Sequence, residues 1–218
     1  MSKLDLIVEP CDFKAAKYAV THWHYSKSMP TPPVIKFGVW ELGTFVGCVL
    51  FSRGANKNLG KKHGLDVTQV CELTRVALNE HMSNVSQIVS MALRSLKKSQ
   101  SIRLVYSYAD PHEGHHGGIY QAMNWIYTGE TPSGYKYEDT TGRIWHQRQV
   151  SSSGWKLQYG EMRKVPVISE CKKVFQPGKH RYLYPLDRAM RRQIEPLAQP
   201  YPKRADVGKM ESRVGSTD

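Results

Sequence analysis

The stretch from Cys71 to Lys98 reads CELTRVALNEHMSNVSQIVSMALRSLKK, and it decides the fold. Its first part is apolar and β-branched, which predicts a strand over residues 68–78. In its second part, apolar residues recur at the spacing of one helical face: Val85, Ile88, Val89, Ala92, Leu93 and Leu96. Ser83 or Asn84 can cap this helix, because their side-chain oxygens accept hydrogen bonds from its first amides. The stretch therefore predicts a strand that leads directly into a capped, amphipathic helix.

The flanking segments extend this unit into a sheet. Upstream, the pattern predicts a strand, a helix capped by Asp12 and a hairpin, at residues 4–8, 12–23 and 34–51. Downstream, it predicts a strand, a short helix and a turn-containing strand region, at residues 103–109, 117–125 and 126–137. The order β-α-β-β-β-α-β-α-β predicts the α/β class, with a mixed twisted sheet and flanking helices.

Domain organisation follows from where this pattern ends. We expect one catalytic domain over residues 1–180 and a basic, proline-containing extension over residues 181–218. The last fifteen residues are polar and charged, which predicts disorder.

Composition limits the class of protein. The chain has 218 residues, 40% of them hydrophobic, and a mean hydropathy of −0.51, so it can bury a core. No segment approaches the roughly 18–20 apolar residues of a membrane span, and Met1–Asp5 does not begin a signal peptide. We therefore expect a cytoplasmic protein without a membrane partner. The four cysteines form no CxxC pair, which disfavours structural zinc and disulfides.

Positive charge is concentrated in one segment. The formal net charge is +12, and residues 143–192 carry twelve Lys or Arg but only three Asp or Glu. Aromatic residues such as Trp145 and Trp155 lie among them. Basic side chains contact phosphates and aromatic faces stack on bases, so this pattern predicts a nucleic-acid surface, with a solvated basic face as the alternative. The residues that we expect to contact DNA are Arg143, Arg148, Lys179, Arg181, Arg191 and Arg192.

Four stretches carry a more specific signal: HWHYS at His22–Ser26, CELTRV at Cys71–Val76, SNVS at Ser83–Ser86 and a long run within Tyr106–Trp125. In this order they resemble the phage Mom family of adenine-modification proteins, over about residues 20–187. That family is regarded as a divergent branch of the GCN5-related N-acetyltransferase-like fold. In this fold the central strand splays away from its neighbour.

The resemblance implies a phage-encoded transferase that acts in the host cytoplasm. Its expected partner is double-stranded DNA, in which adenine is converted to an N6-carbamoylmethyl form that protects phage DNA from restriction. The expected donor is a small molecule, acetyl-CoA or a related CoA thioester. Its pyrophosphate would lie on a helix N-terminus formed by Ser83, Asn84, Val85 and Ser86, although Asn84 and Ser86 replace the usual glycines. A homodimer is compatible with the sequence.

The chemistry of adenine assigns roles to five residues. N6 lies inside the base stack and its lone pair is delocalised, so the base must be flipped out and a group must accept a proton. Asp110 is the expected base. The resemblance implies that Tyr120, which lies where related acetyltransferases often place a tyrosine, protonates a departing thiolate. His24 and Tyr25 would border the acceptor pocket, and Arg75 would neutralise a phosphate or an oxyanion.

Plainer roles are open for the same residues. Asp110 precedes a proline and can simply end a strand. Tyr120 lies beside apolar residues and can belong to the core, and Arg75 can pair with Glu72 or Glu80.

Histidines allow a second chemistry. His24, His115 and His116 together with Asp110 contain the ligands of a 2-His-1-carboxylate iron site. Iron would matter because a carbamoylmethyl group is attached through carbon, whereas acyl transfer from acetyl-CoA gives an amide. Clustered loop histidines also bind phosphate or make hydrogen bonds, so iron is an alternative. Two other functions stay open, namely an ordinary CoA-dependent N-acyltransferase acting on a protein or small amine, and a non-catalytic DNA-binding protein.

Overall fold

A computed structural model describes residues 5–54, 56, 58–99, 101–158 and 160–203. The α-helices within these ranges are α1 Phe13–Trp23, α2 Val85–Ser99, α3 Gly118–Ala122 and α4 Arg188–Ile194. The first six strands are β1 Leu6–Pro10, β2 Val34–Glu41, β3 Thr44–Ser52, β4 Val70–Leu78, β5 Leu104–Ala109 and β6 Ile126–Glu130. The other six are β7 Gly134–Glu138, β8 Ile144–His146, β9 Trp155–Gln158, β10 Glu161–Lys164, β11 Lys172–Gln176 and β12 His180–Pro185.

Two compact units make up the chain. Unit 1 consists of the described parts of Met1–Ala109, His116–Gly129 and Arg181–Asp218. Unit 2 consists of Asp110–His115 and Glu130–His180. The described residues from 181 onward belong to unit 1, together with the first half of the chain. The division into a catalytic domain over residues 1–180 and an extension over residues 181–218 stays a prediction. The disorder expected of the last fifteen residues concerns positions outside those described.

A seven-stranded sheet, in the order β1-β2-β3-β4-β5-β12-β6, forms the centre of unit 1. The pairs β1–β2, β2–β3 and β3–β4 are antiparallel, and β4–β5 is parallel. The first nine elements, from β1 to β6, follow the order expected from the sequence. The prediction of a mixed α/β sheet with flanking helices is confirmed.

Local sequence explains the first elements. The Asp12 side chain caps α1 by accepting a hydrogen bond from the Ala15 amide at 2.7 Å. Leu42 and Gly43 join β2 to β3 with φ angles of 50° and 78°, and consecutive positive φ angles match the right-handed twist of a two-residue hairpin.

Both faces of the large sheet are covered. On one face, α2 buries the apolar stripe found in the sequence, from Ile88 to Leu96, against side chains that include Phe51 and Val105. On the other face, α1 packs against β3 and β4, and α4 packs Met190 and Ile194 against β5 and β12. This burial removes apolar surface from water and holds β4 and β5 in place.

Unit 2 contains two small sheets. One has the strand order β11-β7-β8, and the other is the hairpin of β9 and β10. Its strands have three to five residues each, and every residue of β10 is exposed.

Candidate active site

The parallel strands β4 and β5 separate in the middle of the sheet of unit 1. Among the described residues they are in register at three positions, where Val70–Glu72 pair with Leu104–Tyr106. Beyond this point the Leu73 carbonyl lies 3.1 Å from the Ser107 Oγ. Ser107 Oγ is also 2.8 Å from the hydroxyl of Tyr120. The opening between the strands is therefore bordered by a serine and a tyrosine hydroxyl.

Tyr120 projects from α3 into this region and is 8% exposed. Its ring contacts those of Trp125 and Tyr182, with centroids 5.0 Å away in both cases. Burial raises the pKa of Tyr120 to about 12, against the hydrogen bond with Ser107, which lowers it. Its ring is part of the core, as the plainer interpretation of the sequence expected, and its hydroxyl reaches the opening between the strands.

Gly117 fixes the start of α3. Its φ is 82°, and a Cβ at this position would lie 2.4 Å from a ring carbon of Tyr182. The Tyr182 hydroxyl in turn donates to the carbonyl of His116 at 2.8 Å. A side chain at position 117 would push this ring away, so glycine is required for the placement of Tyr120.

His24 and Tyr25 follow the end of α1. His24 is buried, and its Nδ1 accepts a hydrogen bond from the Ser26 amide at 3.1 Å. The rings of His24 and Tyr25 stack at 4.3 Å, while Tyr25 remains 58% exposed. Tyr25 lies close enough to Tyr120 to contribute to its raised pKa. The structure thus brings the end of α1 to the site of Tyr120.

Arg75 connects β4 to the same segment. Its Nε donates to the Ser28 carbonyl at 3.2 Å, and its Nη1 donates to the Thr74 carbonyl at 2.7 Å. The residue is opposite Leu50, next to an irregularity in the β3–β4 register. The guanidinium therefore holds the loop after α1 against the strand that opens the site.

Three further polar residues, Glu72, Ser107 and Tyr108, lie near this region, and the sequence predicted no site role for them. Burial and then the neighbouring Glu72 carboxylate raise the pKa of Tyr108 to about 12, whereas the Arg181 guanidinium acts to lower it. Glu72 also contributes to the raised pKa of Tyr120. Ser107 is the third residue. The sequence contained one usable signal, since Glu72 is part of the CELTRV stretch.

A buried carboxylate organises the N-terminus of α2. The Glu41 carboxylate accepts hydrogen bonds from the amides of Met82 and Ser83 at 2.7 and 2.8 Å. Burial acts to raise the pKa of Glu41, but these hydrogen bonds outweigh it, so the pKa lies below its ordinary value. Two amides before the helix are thus already paired with an internal anion. The amides of the first turn, at Val85 and Ser86, have no carbonyl partner within the helix and face its N-terminal end.

Asp110 belongs to unit 2, where it pairs with Lys179. The Lys179 Nζ lies 2.7 Å from the Asp110 carboxylate, and the side chains are 47% and 12% exposed. The Asp110 carbonyl accepts hydrogen bonds from the amides of Glu113 and His115, at 3.1 and 3.0 Å. The ion pair stabilises the charged carboxylate, which is the form that a general base requires.

The six arginines and lysines expected to contact DNA differ in their surroundings. Lys179 is paired with Asp110, and Arg181 donates to the Thr128 hydroxyl and carbonyl at 2.8 and 2.7 Å. Arg143 stacks on Trp145 at 4.1 Å, and Arg191 approaches the Asn124 carbonyl at 3.5 Å. Arg148 and Arg192 are exposed.

The described residues include no group of three or more His, Cys, Asp or Glu side chains that could hold a metal ion. The alternative iron site of His24, Asp110, His115 and His116 is therefore not supported. No described helix is both long and apolar enough to cross a membrane.

Comparison with known proteins adds the family. The sequence profile of the Mom protein family matches residues 5–203. The chain belongs to the Mom protein family. It is 25% identical over 209 residues to the protein named methylcarbamoylase mom of Escherichia phage Mu, a match that covers 91% of this chain and 84% of that relative. The resemblance seen in the sequence is thereby confirmed.

Solved structures of an N-acyl amino acid synthase and of acetyltransferases are also similar to this chain. The N-acyl amino acid synthase FeeM, from uncultured soil microbes, has a TM-score of 0.48 and 10% identity, over 88% of this chain and 96% of FeeM. The aminoglycoside 6'-N-acetyltransferase of Enterococcus faecium has a TM-score of 0.46 and 11% identity, over 83% and 97% of the two chains. The spermidine N-acetyltransferase of Vibrio cholerae, in complex with CoA and spermine, has a TM-score of 0.43 and 10% identity, over 83% and 95%. The splayed β4–β5 pair of this Mom family member is the feature expected of the acetyltransferase-like fold.

Proposed function

We propose that this Mom family member is a DNA-modifying transferase. It converts adenine in double-stranded DNA to the N6-carbamoylmethyl form and thereby protects phage DNA from host restriction. The observation that carries the proposal is the family match over residues 5–203, which includes all of the expected site residues. The name of the phage Mu relative, methylcarbamoylase, supports the same group transfer.

Asp110 is the proposed general base. When N6 of a flipped adenine forms a bond to the donor carbon, the nitrogen loses one proton, and the donor's leaving group departs with the electron pair of its broken bond. A carboxylate at the end of β5 can accept this proton. The Lys179 ammonium lies 2.7 Å from this carboxylate and holds it in position. Lys179 is in this proposal a positioning residue.

Tyr120 is proposed to act through a hydrogen bond. A thiol has a pKa of about 8.5, so full transfer of a proton from a phenol of pKa about 12 to a thiolate costs roughly 5 kcal/mol. Donation of a hydrogen bond stabilises the developing charge without this cost. Arg75 is proposed to neutralise a phosphate or a developing oxyanion, and His24 and Tyr25 are proposed to border the acceptor pocket.

The donor is proposed to be acetyl-CoA or a related CoA thioester. Its pyrophosphate would bind the backbone amides at the N-terminus of α2, at Ser83, Asn84, Val85 and Ser86. The Glu41 carboxylate already accepts a hydrogen bond from the Ser83 amide. The pyrophosphate is therefore proposed to contact mainly the amides of Val85 and Ser86. Acetyl-CoA itself carries no nitrogen and its acetyl transfer would give an amide, so the carbamoylmethyl product requires a related donor in which the CH2 carbon that is transferred bears the carbamoyl group and the thiolate leaves from that carbon. The mass of the product distinguishes this donor from acetyl-CoA.

Expression in a bacterial host followed by nucleoside mass spectrometry of its DNA tests this function. We expect a deoxyadenosine product heavier by a carbamoylmethyl group, absent from cells with the empty vector. An acetyl adduct would instead indicate an ordinary N-acyltransferase chemistry. Unmodified DNA that still binds the purified protein would indicate a non-catalytic DNA-binding protein.

A further inference from the structure

The hairpin of β9 and β10 exposes apolar side chains on a basic ribbon. Leu157 and Met162 are direct cross-strand partners, and they are 67% and 60% exposed. Trp155, two residues before Leu157 and thus on the same face, is 50% exposed. Exposed apolar residues that cluster in this way mark an interaction surface more often than isolated ones do.

Backbone hydrogen bonds hold the base of the hairpin. The Val165 amide donates to the Gly154 carbonyl at 2.9 Å, and the Ser151 amide donates to the Pro166 carbonyl at 3.1 Å. Ser151 also forms a bridge with Val167. These hydrogen bonds extend the pairing beyond Trp155 to the base of the hairpin, so they stabilise the two strands that carry Leu157 and Met162.

Charge favours a polyanionic partner. The two strands carry Lys156, Arg163 and Lys164 against one acidic residue, Glu161, which pairs with Arg163 at 3.2 Å. Because side chains alternate along a strand, Lys156 and Arg163 lie on the face opposite to Leu157 and Met162. Lys164 is the cross-strand partner of Trp155 and lies on the apolar face, whereas Glu161 lies on the face of Lys156 and Arg163. The apolar side chains thus share one face of the ribbon, and each face carries a net positive charge.

We propose that this hairpin inserts into duplex DNA and that Leu157 and Met162 occupy the space left by the flipped adenine. The proposal rests on the proposed function for its partner. A two-stranded ribbon fits the major groove of B-DNA, and Leu and Met are among the side chains that proteins insert between base steps. Flipping a base leaves a gap in the stack, and apolar side chains that fill it stabilise the open duplex. Lys156, Arg163 and Lys164 contact the flanking phosphates.

Fluorescence of 2-aminopurine at the target position tests this proposal with the full-length protein. Stacking quenches this base, so the wild type should increase its emission on binding duplex DNA. The double variant Leu157→Ser and Met162→Ser should bind with the same salt dependence, because it keeps every charge, but should lose most of the increase. Modification of duplex DNA by this variant should fall by about tenfold or more. The matched control is Leu42→Ser with Leu197→Ser, two leucines of unit 1 that are 64% and 43% exposed, and it should behave as the wild type.

A substrate with the target adenine opposite an abasic site separates a wedge from a folding defect. That adenine has no pairing partner and is flipped at a lower cost, so the double variant should modify it within about twofold of the wild-type rate. A rate that stays low on this substrate, or a duplex rate equal to that of the wild type, overturns the proposal. A change of oligomeric mass in the variant also overturns it and assigns the hairpin to contact between copies. If the wild type modifies no DNA, the proposed function itself fails, which is a separate outcome.

Discussion

Two antiparallel strands of this chain, β3 and β10, differ in how many of their residues are exposed to solvent. In β3, seven of nine residues are buried, whereas all four residues of β10 are exposed. β3 is covered by helices on both faces, and its sequence is almost continuously apolar, as expected of a strand without a solvent face. In the described part of β9 and β10, Trp155, Leu157 and Met162 are apolar and yet at least half exposed. The comparison teaches that apolar residues in unit 1 maintain the fold, whereas those of the hairpin remain available to a partner.

The largest effect should come from a residue of unit 2 whose loss leaves the fold intact. Asp110→Asn keeps the shape of the side chain but removes the base, so the rate of adenine modification should fall by about 10²–10⁴-fold. Nucleoside mass spectrometry at fixed times measures the rate. The control is Glu113→Gln, an exposed carboxylate in the same loop, which should change the rate little. An Asp110→Asn enzyme with a near-normal rate would show that another group accepts the proton.

The second effect concerns stability in unit 1. Glu41→Ala removes the acceptor of two amides, so the free energy of unfolding should decrease by about 3 kcal/mol. Chemical denaturation measures it, and exposed Glu9→Ala is the control. Because the pKa of Glu41 is lowered in the folded protein, its ionic contribution is complete above the unfolded pKa. This contribution should be lost as the pH falls through the lower, folded pKa. An equal difference between wild type and Glu41→Gln at neutral and at strongly acidic pH would contradict this account.

The smallest effect should come from removal of the Tyr120 hydroxyl, which borders the opening between β4 and β5. Tyr120→Phe keeps the ring contacts with Trp125 and Tyr182, so the melting temperature should change little. The modification rate should fall by about tenfold to a hundredfold, because one hydrogen bond to developing charge is lost. Tyr127→Phe, another buried tyrosine of unit 1, serves as the control. If both variants keep the wild-type rate, Tyr120 serves the core alone.

The contrast between the buried strands of unit 1 and the exposed strands of unit 2 also explains which elements could be predicted from the sequence. The elements of unit 1 up to β6 were predicted because long apolar stripes, caps and the Leu42-Gly43 turn are local signals. Strands β8 to β11 were missed, since they have three to five residues, are largely exposed and show no clear alternation. β12 and α4 were missed because Pro185 and Pro196 interrupt the sequence pattern there, although Asp187 caps α4.

The candidate site shows a similar limit. The motifs predicted His24, Tyr25, Arg75 and Tyr120, which the structure places in unit 1 near the splayed strands. The pairing of Asp110 with Lys179 spans a long sequence separation, and no local pattern indicates it. The role of Glu41 at the start of α2 was hidden for the same reason, since its partners are more than forty residues away.

The position of β12 has a consequence for the order in which the protein is made. β12 lies between β5 and β6, although these strands leave the ribosome about seventy and about fifty residues earlier, respectively. During synthesis the two earlier strands must therefore wait with unpaired edges until residues 180–185 emerge. Pairing over such a separation is slow, and the waiting edges are sites at which nascent chains aggregate. The speed of translation through unit 2 should thus influence how much folded enzyme a cell obtains.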